Sequence, residues 1–234
     1  MIKFNSIAAA AVCLALIAPA AATAQVKKTG NSYLMRLKFK AGDVHKYALA
    51  TTITGLPASS ATGGGNAMKL TGSMEQKVVS VKGKTAQVEV STGAMTMAGG
   101  QTVSQPQSMT ITVDDLGNTS GGQAQGSFGV HLPKGPVKIG QSWSQSTSVP
   151  GGAMGASGKV TATYKFNGIK KVGKLMLADI SFSLSANGML KGGTGHAYLQ
   201  PDNCALSSMN MKMGLSNPAG GPDLTTVVSM QTVK

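Results

Sequence analysis

The sequence predicts an all-β protein, built of two related antiparallel β units that form one curved sheet with a half-barrel or sandwich-like body. Apolar and polar residues alternate along most of the chain after residue 25, which is the pattern of half-buried strands. The 31 glycines and the abundant Thr, Ser and Val favour strands joined by turns. No segment after residue 25 carries a sustained apolar stripe at helical spacing.

The first 24 residues have the composition of a signal peptide. Lys3 supplies a positive charge, residues 7–17 form a short apolar run, and small residues precede the expected cleavage site between Ala24 and Gln25. A run of about eleven apolar residues is too short to span a bilayer as a helix, which needs roughly 20. We therefore expect a signal-peptide helix at 1–24, a periplasmic or secreted protein, and no stable membrane span after cleavage.

The first strands after the signal peptide follow from alternation. Residues 33–40 place Tyr, Met, Leu and Phe on one face and basic residues on the other, which predicts a half-buried strand. A turn at 41–43 leads into a second predicted strand at 47–53, and the composition of 55–66 is typical of a flexible loop. Further strands are predicted by the same alternation at 109–113, 176–184, 209–213 and 224–233.

An internal repeat divides the chain into two units. Each half reads as a Gly-led strand, a Gly-rich loop, a long hairpin turning at a glycine, and a strand that ends in an acidic turn. This predicts a first β unit at 25–120, a linker at 121–136 and a second β unit at 137–234. The alternative is that the two halves are unrelated β-meanders with similar turns and glycine-rich loops. The matching positions are Gly42 and Gly140, Gly83 and Gly173, and Asp115 and Asp202.

Three segments carry a resemblance to known proteins. They are LMRLKFKAGDVHKYALATTIT at 34–54, HLPKGPVKIGQSWSQST at 131–147 and GTGHAYLQPDNCALSSMNMKM at 193–213. They resemble exported bacterial β-rich proteins of unknown function. The resemblance implies an extracytoplasmic β fold akin to the curved half-barrels of envelope lipid and lipoprotein carriers, and it transfers no catalytic residue.

The excess of basic residues limits the classes of partner that the protein is expected to bind. The chain has 21 basic and 8 acidic residues, a formal net charge of +13, and Arg36 is its only arginine. Planar bidentate recognition of phosphate and base edges favours arginine, so we expect no nucleic-acid partner. A lysine-rich field in an exported protein fits a lipid surface or an anionic envelope polymer; the alternative is a solvated basic face that aids solubility.

The sequence shows no catalytic motif. The Gly-Lys pairs at 83–84 and 158–159 lack the opening glycine of a phosphate loop, and no G-x-S-x-G elbow is present. Most aspartates lie beside Gly, Pro or Asn, where they typically support turns. Removal of the signal peptide leaves Cys204 alone, so no intramolecular disulfide is expected. We expect no enzyme and no cofactor, although a Ser–His pair in a cleft would favour a hydrolase.

Methionines are the remaining candidates for chemistry. Thirteen follow Met1 (14 minus 1), and the dense places are Met95 with Met97 and Met209, Met211 and Met213. Soft thioethers select Cu(I), and His45, His131 or His196 would complete such a site. Alternate residues of a strand share one face at about 6.5–7 Å, so one strand alone spreads its methionines too far to chelate an ion. We favour core or pocket lining.

These observations predict an exported, non-catalytic binding or envelope-associated module for an anionic amphiphile or envelope polymer. A pliable methionine-lined interior beneath a lysine-rich exterior motivates the amphiphile. The alternatives are a periplasmic Cu(I)-binding protein that uses the methionine clusters, and a purely structural surface protein.

Overall fold

The structure is a computed structural model that describes residues 25–56, 67–120, 130–149, 158–186, 190–201, 206–216 and 222–233. The predicted signal-peptide helix at 1–24, residues 57–66 of the predicted loop at 55–66, and Cys204 lie outside these ranges. None of the described residues forms a helix long and apolar enough to cross a bilayer.

The described chain consists of strands and their connections. The strands are β1 (Gln25–Thr29), β2 (Ser32–Arg36), β3 (Val44–Thr54), β4 (Ala67–Lys82), β5 (Thr85–Thr92), β6 (Met95–Met97), β7 (Thr102–Ser104), β8 (Gln107–Asp114), β9 (Thr119–Ser120), β10 (Ser142–Val149), β11 (Gly158–Val172), β12 (Leu175–Ala186), β13 (Leu190–Leu199), β14 (Leu206–Leu215) and β15 (Leu224–Val233).

The strands form two antiparallel sheets. β1 and β2 make a small ribbon, and the other strands make one large open sheet in the order β10-β11-β12-β13-β14-β15-β3-β4-β5-β8-β9, with β6 against β4 and β7 against β6. Strands from the second half of the chain thus lie together on one side of the β15–β3 junction and those from the first half on the other. The predicted all-β, antiparallel fold is confirmed. The unit boundaries at 120, 136 and 137 stay a prediction.

One face of the large sheet holds the hydrophobic core. On β14, Met209, Met211 and Met213 are buried while Asn210 and Lys212 between them are exposed. The same alternation runs along the other long strands, and their buried side chains join in a single cluster. Because a single sheet holds a common core on one face, it must curve around that core. Each buried side chain of this size contributes roughly 1.5–3 kcal/mol to folding.

The first half opens with a closed turn against β4. The Gly42 N–H donates to the Val78 carbonyl at 2.9 Å, and the Val78 N–H donates to the Asp43 carbonyl at 2.9 Å. A register shift follows in β4 between Val78 and Ser80. The β4–β5 hairpin then turns at Gly83, whose φ of +60° only glycine adopts readily.

The second half repeats this arrangement. The Gly140 N–H donates to the Phe166 carbonyl at 2.7 Å, and the Phe166 N–H donates to the Gln141 carbonyl at 3.1 Å. β11 shifts register between Phe166 and Gly168, and the β11–β12 hairpin turns at Gly173 with φ +61°. The two predicted units are therefore related in their hydrogen bonding, their irregularities and their hairpin turns.

The predicted strand at 33–40 is shorter in the structure. β2 ends at Arg36, and the next N–H, that of Leu37, donates to the carbonyl of Asp115 at 2.9 Å. Leu37 therefore stays buried with its side chain in the core, although it lies outside the ribbon. Alternation reports only which side chains are buried, and it does not distinguish a strand from an extended segment that hydrogen-bonds to a turn.

The segment at 130–141 connects the two ends of the large sheet. The Leu132 N–H donates to the Leu116 carbonyl at 2.8 Å, and Tyr33 and Val137 exchange backbone hydrogen bonds at 2.8 and 2.9 Å. On the far side, the Gln145 side chain on β10 donates to the Asn118 side chain beside β9 at 3.3 Å. The two ends of the open sheet thus approach each other through side chains.

Candidate functional site

An open groove of about 620 Å³ crosses the outer face of the sheet from β10 to β15. It lies over the half of the sheet that the second unit builds. Because neighbouring antiparallel strands align residues directly opposite one another, outward side chains form transverse rows spaced by about 4.8 Å from strand to strand. Two such rows border the groove.

The first row follows from the registers of five strands. Each member is directly paired with the next, and all project from the face opposite the core. The row offers an ammonium group, an imidazole, an amide and two hydroxyls within one line of side chains. Its members are Ser142, Lys165, Ser181, His196 and Asn210.

The second row lies two residues further along each strand. Its members are again paired one to the next and exposed to solvent. It adds a second ammonium group and three hydroxyls, and an apolar side chain ends it. Its members are Thr163, Ser183, Thr194, Lys212 and Val227.

A buried carboxylate orients the histidine of the first row. His196 Nδ1 lies 3.4 Å from Asp179 Oδ1, and the Asp179 side chain is 11% exposed against 56% for His196. Asn167 Nδ2 donates to the same oxygen at 3.3 Å, and the Ser181 hydroxyl donates to Asn167 Oδ1 at 3.4 Å. With Nδ1 directed to Asp179, Nε2 is the imidazole nitrogen left to a ligand.

The electrostatics of the groove are positive. Lys165 and Lys212 lie on its two sides, and no carboxylate is among the described residues that line it. No ion pair within the described ranges includes either lysine. Ammonium, imidazole, amide and hydroxyl groups donate hydrogen bonds, so the surface suits a ligand rich in anionic oxygens.

The predicted metal ligands of β14 are in the core. Met209, Met211 and Met213 are 1–2% exposed, and Met209 is directly opposite Met230 on β15. Their side chains therefore belong to the inward face of the strand, although Met211 also borders the groove. The cross-strand pair supplies two thioethers from different strands, which sequence spacing alone does not reveal.

The other methionine pair lies elsewhere. Met95 is buried, with its sulfur packed against Gly72 of β4, and Met97 is half-buried opposite Leu70. β15 and β3 separate β14 from β4, so Met95 and Met97 do not belong to a strand next to β14. Among the described residues, no three or more His, Cys, Asp or Glu side chains are grouped to hold a metal ion.

The three histidines occupy three different environments. His131 is buried beside Tyr164, with ring centroids 6.3 Å apart, while His196 is in the groove. His45 lies at the start of β3 near Asp43. Burial lowers the pKa of His45 below its ordinary 6.5, and the negative charge of Asp43 opposes part of that change. No common site joins these three side chains.

A serine lies directly across from the groove histidine. Ser181 pairs with His196 in the β12–β13 register. A serine nucleophile requires its hydroxyl to be hydrogen-bonded to the base, and the Ser181 hydroxyl instead donates to Asn167. The prediction that the protein is not an enzyme stays a prediction.

Sequence reasoning found His196 only as an isolated residue and did not single out Asp179, Lys165 or Lys212. Alternation does show that these residues share the outward face of their strands. Their alignment depends on the register of four neighbouring strands and on the shift after Phe166, which no local pattern encodes.

Comparison with known proteins adds no assignment. No family model matches the chain, and no curated protein matches it. Among solved structures, a DUF1329 family protein from Desulfovibrio piger is similar over 81% of this chain and 84% of its own, at 9% sequence identity and a TM-score of 0.23. At that TM-score the likeness supports no argument about fold or function. The resemblance to envelope lipid and lipoprotein carriers stays a prediction.

Proposed function

We propose that the protein is an exported, non-catalytic module that binds an anionic envelope polymer in the groove. The observation that carries this proposal is the pair of transverse rows, which present Lys165, His196 and Lys212 among hydroxyl and amide groups with no carboxylate among the described lining residues. Oxygens of a carboxylated or phosphorylated polysaccharide accept hydrogen bonds from all of these groups.

The shape of the groove favours a polymer over an enclosed amphiphile. Sites for small apolar ligands are usually enclosed, whereas this groove lies open on the outer face of the sheet, although its accessible lining is mostly apolar. It runs over six strands, a span of roughly 24 Å at about 4.8 Å per step, which accommodates several sugar units in line. The methionines of β14, which sequence reasoning assigned to core or pocket lining, are packed in the core.

The overall charge supports the same class of ligand. A net charge of +13, almost all from lysine, attracts a polyanion over distances comparable to the Debye length, about 8 Å at physiological ionic strength. The predicted signal peptide would bring the protein to the compartment in which such polymers occur. The two transverse rows of the groove then supply the short-range hydrogen bonds that long-range electrostatic attraction does not provide.

The test compares two double variants of the mature protein with the same charge change. Lys165→Gln with Lys212→Gln removes both groove ammonium groups, and Lys27→Gln with Lys28→Gln removes two exposed lysines of β1. Calorimetric titration with polygalacturonate and with wall teichoic acid, using neutral dextran as the reference, should show affinity reduced about tenfold or more only in the groove variant, because charge-assisted hydrogen bonds are the stronger ones.

Three results would contradict this proposal. Equal weakening in both double variants would mean that binding is governed by net charge and not by the groove. Failure of the wild-type protein to bind either polyanion at physiological salt would exclude the ligand class. Hydrolysis of a polysaccharide or ester that disappears in Ser181→Ala would show that the Ser181, His196 and Asp179 arrangement is catalytic.

Cu(I) binding is the second candidate because Met209 lies opposite Met230. Two thioethers on neighbouring strands are closer than any two on one strand, and Cu(I) accepts such soft ligands. The measurement that separates the candidates is metal analysis after loading with Cu(I) under reducing conditions. A stoichiometric ion that is lost in Met209→Leu with Met230→Leu, but kept in Met95→Leu with Met97→Leu, would place copper first.

A further inference from the structure

The β11–β12 hairpin extends beyond its neighbouring strands. On the β12 side, the described pairing with β13 ends at Ala178 with Leu199. On the β11 side, pairing with β10 ends at Lys165 with Ser142. The pairs Lys171 with Met176 and Val172 with Leu175 therefore lie beyond the last described pairs with both neighbouring strands, while Leu177 is buried at their base.

The tip of this hairpin exposes apolar side chains to water. Val172 is 40% exposed, Leu175 51% and Met176 53%. Three neighbouring apolar residues exposed on a projecting hairpin differ from the scattered single exposures that most protein surfaces show. Such a tip is small, convex and accessible from every side.

Lysines surround the apolar tip. Lys170, Lys171 and Lys174 lie within five residues of one another, and the hairpin has no acidic residue between Gly168 and Ala178. No ion pair in the described part of the chain includes any of the three. The hairpin thus combines apolar groups at its end with uncompensated positive charge on its sides.

The second hairpin lies at the same end of the sheet. Because every neighbouring pair from β11 to β5 is antiparallel, the β4–β5 turn and the β11–β12 turn point in the same direction. This turn carries Lys82 and Lys84, and Val79 and Val81 beside it are 49% and 39% exposed. Lys84 also lies 3.6 Å from Asp115, so this hairpin is less positive than the first.

Two valines are exposed between the hairpins, beside the ion pair of Lys46 with Glu75. Val44 at the start of β3 and Val233 at the end of β15 are each 43% exposed at this end of the sheet. Of the ten large hydrophobic side chains exposed in the described ranges, eight therefore lie at one end, with Ile139 beside Gly168 among them. Five strand steps separate β12 from β4, so the two hairpins are about 24 Å apart along the sheet.

We infer that this end of the sheet docks onto an anionic lipid bilayer, with the β11–β12 hairpin inserting its apolar tip at the interface. Exposed Val, Leu and Met side chains enter the boundary between head groups and acyl chains, and lysines beside them contact anionic head groups. The two hairpin turns and the exposed valines between them lie at the same end of the sheet, so they can face the flat surface of a bilayer together. The groove lies on the sheet face and not at its end, so this inference does not depend on the proposed polymer site.

The test uses the mature protein, residues 25–234, with vesicles of 30% phosphatidylglycerol in phosphatidylcholine and with vesicles of phosphatidylcholine alone. Wild type should sediment with the anionic vesicles only. Leu175→Ser with Met176→Ser should reduce partitioning about tenfold or more, because it removes the inserted apolar area. The control, Met109→Ser, removes an exposed apolar side chain away from this end and outside the groove, and it should bind as wild type does.

A charge variant and a depth probe complete the experiment. Lys170→Gln, Lys171→Gln and Lys174→Gln together should weaken binding about 100-fold, and the loss should match the effect of raised salt on wild type. An environment-sensitive fluorophore at Met176→Cys, in a Cys204→Ser background, should shift to shorter wavelength on anionic vesicles. Circular dichroism of each variant confirms that it is folded.

Three outcomes would overturn the inference. The first is failure of wild type to bind anionic vesicles at physiological salt. The second is a pattern of binding that does not depend on the hairpin. Either the hairpin variants bind as well as the control does, or Lys165→Gln with Lys212→Gln loses vesicle binding while the hairpin variants keep it. The latter result would assign the lipid to the groove. The third is sedimentation without vesicles, which would identify the exposed tip as a self-association surface.

Discussion

Arg36 binds the segment at 130–137, which has little regular strand pairing of its own. Its Nη1 donates to the carbonyls of Met35 at 2.6 Å and Pro133 at 2.8 Å, and Nη2 donates to the carbonyl of Lys134. Its Nε lies 3.8 Å from a carboxylate oxygen of Asp115. The planar guanidinium can satisfy several acceptors in different directions at once, which an ammonium group on a single atom cannot do in this geometry.

We therefore predict that Arg36→Lys is destabilising despite keeping the charge. The lysine would leave at least one of the carbonyls of Pro133 and Lys134 without its donor, at a cost of about 1–3 kcal/mol in the free energy of unfolding. Urea unfolding followed by circular dichroism measures this. Lys28→Ala, an exposed lysine on β1, is the control and should change stability by less than about 0.5 kcal/mol. Equal stability of Arg36→Lys and wild type would contradict the role assigned to the guanidinium.

The sequence indicates that Arg36 is unusual but not why. It is the only arginine among 21 basic residues, and its partners at Pro133 and Lys134 are 97 and 98 positions away. In contrast, the acidic turn near Asp114 is local and was predicted. Its Oδ1 accepts the N–H groups of Leu116 at 2.9 Å and Asn118 at 2.8 Å. Contacts that close within a few residues are readable from sequence, and contacts across the sheet are not.

At the scale of a strand, β13 shows how a glycine can be required without an unusual backbone angle. Gly195 faces Phe182 on β12 and the backbone of Asn210 on β14. A Cβ at Gly195 would lie 2.6 Å from the Asn210 carbonyl oxygen and would also overlap the Phe182 ring. The aromatic side chain occupies the space above the glycine, an arrangement that supports cross-strand packing.

Gly195→Ala should therefore destabilise the protein by about 1–3 kcal/mol, since the added methyl overpacks the sheet against backbone that cannot move freely. The matched control is Gly214→Ala on β14, where an added Cβ meets only the Lys191 Cβ at 3.6 Å, an ordinary contact. Thermal unfolding of the two variants should show a lower midpoint for Gly195→Ala alone. A similar midpoint for both would mean that the space at Gly195 is not as tight as the geometry indicates.

Strand content and inward faces were predictable, whereas strand order was not. Alternation predicted the strands at 109–113, 176–184, 209–213 and 224–233, and all lie within strands of the structure. The placement of β15 beside β3 joins residues from 171 (Thr54 with Thr225) to 187 (Lys46 with Val233) positions apart, and nothing in either strand specifies the other. The short strands β6, β7 and β9 were missed because two or three residues are too few for a period to be recognised.

At the scale of the whole molecule, the two halves share one core and one sheet. Buried side chains from both halves belong to a single cluster, and nine residue pairs join β15 to β3. The hydrogen bonds of Arg36 and the backbone bridge between Tyr33 and Val137 connect the segment at 130–137 to the first half. The groove lies on the outer face of the second half, and the two hairpins, one from each half, lie at the same end of the sheet. The surface formed by the two hairpins therefore requires that both halves belong to one sheet.

This arrangement predicts that the halves fold together and not separately. A fragment of residues 25–136 would expose the whole edge of β3 and its share of the core, and a fragment of residues 137–234 would expose the edge of β15. Neither should unfold cooperatively when produced alone, while residues 25–234 in one chain should show one transition in urea with coincident fluorescence and circular dichroism curves. Co-expression of the two fragments should yield a complex that recovers the β-sheet spectrum of the intact chain. An isolated fragment with a sharp unfolding transition would contradict the single shared core, and two separate transitions in the intact chain would do the same.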